Sequence, residues 1–319
     1  MAHTLKNDYG LRVLAVTLDY GFMPNEFAQA NLKRVIDYLK LDHVYIKVPQ
    51  EIVSLAFGNF LRKPHNYIPC KVCSYTLAYP LMTKIAVEYS VPKIMWGFDR
   101  GQLFSNLFTM PDKWLVDTGL HQNPKTSVAD VVRSTEKELI ELGLSPEQRK
   151  LIVPSHLDLT GTGETPEHVS FFLFHPYDEE KMKRVLIENM GWVRPPDDAV
   201  HGHYDCGMKQ AVSYAELAIG MGGMLEGELS VDIREGKLSR VFALKRLEKE
   251  HKEIVCCEHP FKTIEDVCGI SEESFLRKTR RLGRIAPIIN GVFRIVAKIH
   301  GLFSETANDP LFFLRKRKV

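Results

Sequence analysis

Cys70 and Cys73, in Ile68-Pro69-Cys70-Lys71-Val72-Cys73-Ser74, carry the most informative local chemistry in the chain. A C-x-x-C pair at a helix start lets two thiolates share one metal, and the helix N-terminus lowers their pKa. Another cysteine, Cys206, ends the run His201-Gly202-His203-Tyr204-Asp205-Cys206. Thiolates from Cys70, Cys73 and Cys206 with one of these imidazoles form a donor set that suits zinc. Three readings of the pair stay open: a bound metal, a redox dithiol, and two small buried side chains with no ligand. No thioredoxin-like context surrounds it. His251, Cys256, Cys257 and His259 also have metal-like composition. Adjacent cysteines, however, point in different directions in most backbones, so burial or chance explains that group better.

Carboxylates, glycines and arginines add further candidates. Asp19-Tyr20-Gly21 closes an apolar run, and Gly21 suits a tight approach of backbone to ligand. An ordinary strand-to-helix turn accounts for the same residues. Gly97-Phe98-Asp99-Arg100-Gly101-Gln102 follows a short buried run at the edge where open α/β sheets bind ligands. The glycines there also serve a plain turn. Arg234 and Arg240 can present planar guanidinium forks to a phosphate or a sugar acid, or cap and salt-bridge neighbouring helices.

The elements that must position these groups follow from periodicity. Leu11 to Leu18 reads as a strand buried on both faces. A helix with Phe27, Leu32, Val35, Ile36 and Leu39 on its apolar side comes next, then a strand at His43 to Val48. A helix from Ser74 to Tyr89 and a strand from Lys93 to Trp96 complete an alternation that predicts a parallel sheet with helices on its faces. Helical patterns recur at Val128–Leu142, Glu179–Met190, Cys206–Met221 and Leu238–Lys252. The expected organisation is therefore an α/β domain over residues 1–175 and a mainly helical region over 176–319.

Composition bounds the rest. A chain of 319 residues, 45% hydrophobic, can bury a sizeable core, and its formal charge of +2 excludes a general electrostatic affinity for nucleic acid. Basic residues gather from Arg277 to Lys318. The stretch from Arg280 to Phe303 carries Arg284, Arg294 and Lys298 on an otherwise apolar segment. It reads as a terminal helix packed on the core, ahead of a membrane-surface or RNA-binding role. Six cysteines, with no secreted-framework spacing, point to a reducing cytoplasm. The first residues lack a signal peptide's apolar core, and no run approaches the roughly 20 apolar residues of a transmembrane span.

Met1 to Lys6 reads as the later turns of a helix, stopped at Tyr9-Gly10. Leu11-Arg12-Val13-Leu14-Ala15-Val16-Thr17-Leu18-Asp19-Tyr20-Gly21-Phe22, with the run from Asn31 to Val48, resembles the segment after the PP-loop of N-type ATP pyrophosphatases. That superfamily includes tRNA thiolation enzymes, tRNA-lysidine synthetase, sulfonucleotide reductases and N-acetyl sugar amidotransferases. The resemblance covers residues 1–110 well and 170–245 less evenly. Its S-G-G-x-D-S loop is absent from these residues, and the expectation is a fold whose first strand and loop precede Met1.

The resemblance implies ATP and Mg²⁺ as cofactors. A substrate oxygen attacks the α-phosphate, pyrophosphate leaves, and sulfur or nitrogen displaces AMP. It places adenine beside Val16 to Tyr20, with Asp19 and Gly21 at the nucleotide. Gly97 and Asp99 fall in the family's G-H-x-x-D-D turn, although Phe98 stands where the family has His. Cys70 and Cys73 match the C-x-x-C of the iron–sulfur tRNA thiolation enzymes. Cys206 would be the third ligand of a [4Fe–4S] cluster, with catalytic roles expected for Cys206 and Asp99. Asp205-Cys206, Arg234-Glu235-Gly236, Arg240 and Gly191-Trp192 resemble sugar amidotransferases, which take ammonia from a glutaminase.

Expected partners are accordingly tRNA or a small-molecule substrate, a sulfur donor or glutaminase, and a second copy in a homodimer. A non-catalytic nucleotide- or metal-binding protein is the reading from a different class.

Overall fold

The computed structural model describes residues 1–22, 26–63, 72–98, 128–154, 166–193, 206–218, 225–255 and 257–278. Among these, helices predominate around two short parallel sheets, a mixed α/β architecture. Strand β1 (Leu14–Asp19) pairs in parallel with β2 (Asp42–Lys47), and α1 (Glu26–Leu39) connects them. Helix α2 (Gln50–Arg62) follows. A π-helical turn at Val72–Leu77 then runs into α3 (Ala78–Glu88), and β3 (Lys93–Trp96) comes next. The later elements are α4 (Val128–Glu141), α5 (Pro146–Ile152), β4 (Glu167–Ser170), α6 (Glu179–Arg184), α7 (Lys209–Ala218), α8 (Leu225–Arg234), α9 (Arg240–Val255) and α10 (Lys262–Cys268).

The expected strands and their parallel sense are present, and among the described residues they form two separate pairs. β3 pairs with β4, from Lys93↔Glu167 to Trp96↔Ser170, and among the described residues no ladder joins that pair to β1–β2. Before β1, the turn Thr4–Asp8 ends as expected at Tyr9 and Gly10, the latter at φ +65°. Lys6 reaches from this turn to the C-terminus of α1, donating to the Leu39 and Lys40 carbonyls at 2.5 and 2.9 Å. Such orphan carbonyls are satisfied by cations near a helix end.

Alternation along β1 decides which face meets the core. Val16 and Leu18, with Ile46 of β2, pack on a cluster built from Val53, Phe57 and Leu61 of α2 and Tyr79, Leu81 and Ile85 of α3. The same cluster takes in Met208, Ala211, Val212 and Ala215 around α7 and Phe261, Ile264, Val267 and Phe275 around α10, so residues on both sides of residue 175 share one core.

Helix α2 was not anticipated. Its buried positions Ile52, Val53, Ala56, Phe57 and Leu61 form the apolar stripe of an amphipathic helix, and Pro49 sits at its N-cap.

Helices α2 and α10 approach closely at Gly58, where an added Cβ would lie 2.8 Å from the Cys268 carbonyl oxygen. Helix propensity alone favours alanine by about 1 kcal/mol. The clash with backbone outweighs it, and Gly58→Ala is expected to lower stability by about 1–2 kcal/mol. The urea midpoint, at unchanged slope, measures this. No helix among the described residues is long and apolar enough to cross a membrane.

Candidate functional site at the end of strand β1

The chain leaves β1 through Asp19-Tyr20-Gly21-Phe22, and each of these residues is held. Asp19 is buried; its Oδ1 accepts the Gly21 amide at 2.7 Å and its Oδ2 accepts the Tyr45 hydroxyl at 2.8 Å. The Asp19 carbonyl accepts from Val48 N at 2.8 Å, extending the β1–β2 pairing. Gly21 adopts φ +82°, and a Cβ there would meet Gln50 Oε1 at 2.4 Å. Asp19 and Gly21 therefore make a side-chain-closed turn, the structural alternative named for them above.

Thr17, Asp19, His43 and Tyr45 share the sheet face opposite the core. Thr17 Oγ1 lies 3.0 Å from His43 Nε2.

Tyr20 turns inward between the strand end and the C-x-x-C segment. Its ring stacks on Phe22 at 5.9 Å and tilts against Phe57 at 6.4 Å, while its hydroxyl donates to the Cys73 carbonyl at 3.0 Å. Burial holds this phenol well above its ordinary pKa, with the charge of a Cys73 thiolate adding to the effect, so Tyr20 acts as a neutral donor.

From the other side, Gly207 donates its amide to the Phe22 carbonyl at 3.2 Å. The approach is so close that a Cβ on Gly207 would lie 2.5 Å from that oxygen. Thr263 Oγ1 donates to the Gly207 carbonyl at 3.2 Å, tying α10 to the same point. The Cys73 carbonyl and the Gly207 amide, next to Cys206, thus both bond to the Tyr20–Phe22 turn; Cys73 and Cys206 are partly buried against the main core, and neither forms a disulfide.

The remaining candidates are placed differently. Cys70 and Asp99 lie outside the described residues. Gly97 directly follows β3, and among the described residues a side chain there would meet the Met1 side chain, at an ordinary 3.8 Å. Arg234 ends α8 and Arg240 begins α9, both exposed. They flank a helix stop in which Gly236, at φ +73°, donates to Ile233 O and Lys237 N donates to Asp232 O. That is a Schellman cap. This hairpin packs on its own small cluster of Leu225, Leu229 and Ala243.

Gly191, at φ +64°, is a similar stop before Trp192. In the second cysteine group, Cys256 lies outside the described residues and the Cys257 thiol donates to Gln210 Oε1 at 3.3 Å. Cys268 is buried and its thiol is pushed up to about 12, by burial against the opposing influence of Arg62. It is an unreactive core residue. Among the described residues no group of three or more His, Cys, Asp or Glu is placed to hold a metal ion.

The chain matches no protein-family model and no curated protein.

Sequence reading overlooked one cluster at the carboxyl end of β3. His168 of β4 is 5% exposed and stacks on Tyr79 at 3.9 Å and on Trp96 at 5.7 Å, and Trp96 stacks in turn on Phe98. The Trp96 indole N–H donates to His168 Nδ1 at 2.8 Å, which fixes the tautomer with the proton on Nε2. Nε2 then donates to Thr83 Oγ1 at 2.9 Å, and Thr83 donates to the Tyr79 carbonyl at 2.9 Å. Burial pulls the imidazole down to about 3, so it is neutral. The stack extends through Trp96 to Phe98, just past the end of β3.

Proposed function

We propose that this chain carries out ATP pyrophosphatase-like chemistry, adenylating a substrate oxygen and then transferring sulfur to the activated carbon, as in tRNA thiolation. The observation that carries the reading is that the backbones of Cys73 and of Gly207, the residue after Cys206, both hydrogen-bond to the Tyr20–Phe22 turn. In the family, that strand end borders the nucleotide. Two partly buried thiols beside a parallel-strand end, with Cys70 three residues before Cys73, suit a thiolate-held centre.

Cys70, Cys73 and Cys206 would hold a [4Fe–4S] cluster or, with an imidazole, zinc. A cluster bound there would supply a site for sulfur. The protein's own part is clearer. The Tyr20 hydroxyl holds the Cys73 carbonyl, the Gly207 amide holds the Phe22 carbonyl, and the Asp19–Tyr45 hydrogen bond sets the turn. The sheet face of Thr17, His43 and Tyr45 lies beside that turn. S-G-G-x-D-S is absent from these residues.

Anaerobic reconstitution of the full chain with iron and sulfide tests the reading. Uptake of both, with loss in Cys70→Ser, Cys73→Ser and Cys206→Ser, is the expected result. Equal and negligible uptake in wild type and variants would sink the sulfur-transfer reading. Zinc uptake that depends on the same cysteines would convert the site to a structural metal centre and favour the non-catalytic class.

A second reading rests on the exposed pair Arg234 and Arg240, set on either side of one helix stop where two guanidinium groups can meet one anion. It is an N-acetyl sugar amidotransferase using ammonia from a glutaminase. Co-purification with a glutaminase, lost on Arg234→Ala with Arg240→Ala, would select it. Iron-dependent sulfur transfer would reject it.

A further inference from the structure

The outer side of α9 does not look like a face turned only to water. Ala243, Leu247 and Ile254 turn inward, whereas Val241, Phe242 and Leu244 are 66, 49 and 54% exposed within its first turns. Exposed Arg240 and Lys245 lie among them, with exposed Lys252 and, among the described residues, a single exposed acid, Glu248, on the same side of the helix. The Arg246 guanidinium lies 5.2 Å from the centre of the Phe242 ring. Ser239 caps the helix by accepting the Phe242 amide at 3.3 Å, so this apolar and basic turn is a formed one.

We propose that the first turns of α9 dock on an anionic lipid bilayer. The charges select this occupant. A second copy meeting this face about a two-fold axis would set Arg240, Lys245 and Lys252 against the same cations, with only Glu248 among the described residues to offset them. The chain's own C-terminal stretch is itself basic, with Arg280, Arg281, Arg284, Arg294 and Lys298, and meets the same repulsion. Nucleic acid would satisfy the cations, yet its phosphates offer nothing to Val241 and Leu244. A bilayer interface accepts both kinds of group. Apolar side chains enter the acyl boundary while Lys and Arg stay among anionic headgroups. The surface depends on α9 alone and not on the chemistry proposed for the thiols.

Flotation of the full chain with vesicles tests this directly. Binding to phosphatidylglycerol–phosphatidylcholine vesicles is expected to exceed binding to phosphatidylcholine alone by about tenfold or more at low salt, and to weaken as salt rises. The triple variant Val241→Ser, Phe242→Ser, Leu244→Ser should lose about tenfold in binding while keeping the wild-type urea midpoint. Lys245→Glu should weaken binding to the anionic vesicles alone. Equal binding to both vesicle types, or binding untouched by the triple variant, would overturn the proposal. So would sedimentation showing a dimer that the triple variant dissociates, because the face would then belong to a second copy.

Discussion

Acidification from pH 7 to pH 5 is expected to cost the wild-type fold about 2 kcal/mol through His168 alone. The imidazole is buried, neutral and pulled down to about 3, while in the unfolded chain it titrates near 6.5. Between those values the unfolded state binds the proton and the folded state does not. The contribution is therefore fully present above about pH 6.5 and is lost at about 1.4 kcal/mol per pH unit as pH falls towards 3. Protonation would also turn Nδ1 from acceptor to donor against the Trp96 N–H.

His168→Ala removes the titration but opens a cavity between Tyr79 and Trp96 and leaves that N–H without its acceptor. A loss of about 3–4 kcal/mol at pH 7 is expected. Urea midpoints at pH 7, 6 and 5 separate the two effects, because the variant should start lower and fall less steeply. Parallel loss in wild type and variant would show that His168 is not the group responsible.

Gly207→Ala is the second large effect. Its Cβ would sit 2.5 Å from the Phe22 carbonyl oxygen, an atom of the backbone that cannot rotate away. Relief requires the Cys206–Gly207 segment to withdraw from the β1 turn, lengthening the Gly207 N to Phe22 O hydrogen bond of 3.2 Å. A stability loss of about 3 kcal/mol is expected, at the upper end for an overpacked site. Any ligand shared by Cys73 and Cys206 should bind at least about tenfold more weakly, a 1.4 kcal/mol effect. Metal titration of the two proteins measures it. Unchanged metal binding in Gly207→Ala would separate Cys206 from the site, whatever the stability change.

Much of the first half was legible because its signals are local. The β-branched run of β1, the 3.6-residue spacing in α1 and the short run Lys93–Trp96 each announce an element, and each appears within a few residues of its expected bounds. Asp19 and Gly21 were legible as a turn for the same reason.

Helix α2 was not, because Pro49 offers no capping side chain and its apolar positions are broken by Gly58. Helix α5 did carry its signal: Ser145-Pro146-Glu147-Gln148 closes a capping box, Ser145 Oγ accepting from Gln148 N and Gln148 Oε1 from Ser145 N. Strand β4 has only four residues, and its partner β3 is far away in sequence. The His168 stack is hidden for that reason. Tyr79, Thr83, Trp96 and His168 meet only after α3 and both strands are placed. The Tyr45–Asp19 bond likewise depends on a register, Thr17↔Tyr45, that no single segment encodes.

Thiol cross-linking with a short bifunctional reagent such as dibromobimane bears most directly on the thiolate site at the end of β1. Peptide mapping of the reduced, full chain should recover a bridge from Cys206 to Cys73 or Cys70, with Cys268 unmodified. Recovery of Cys206 as a singly labelled residue, never joined to either partner, would contradict the account.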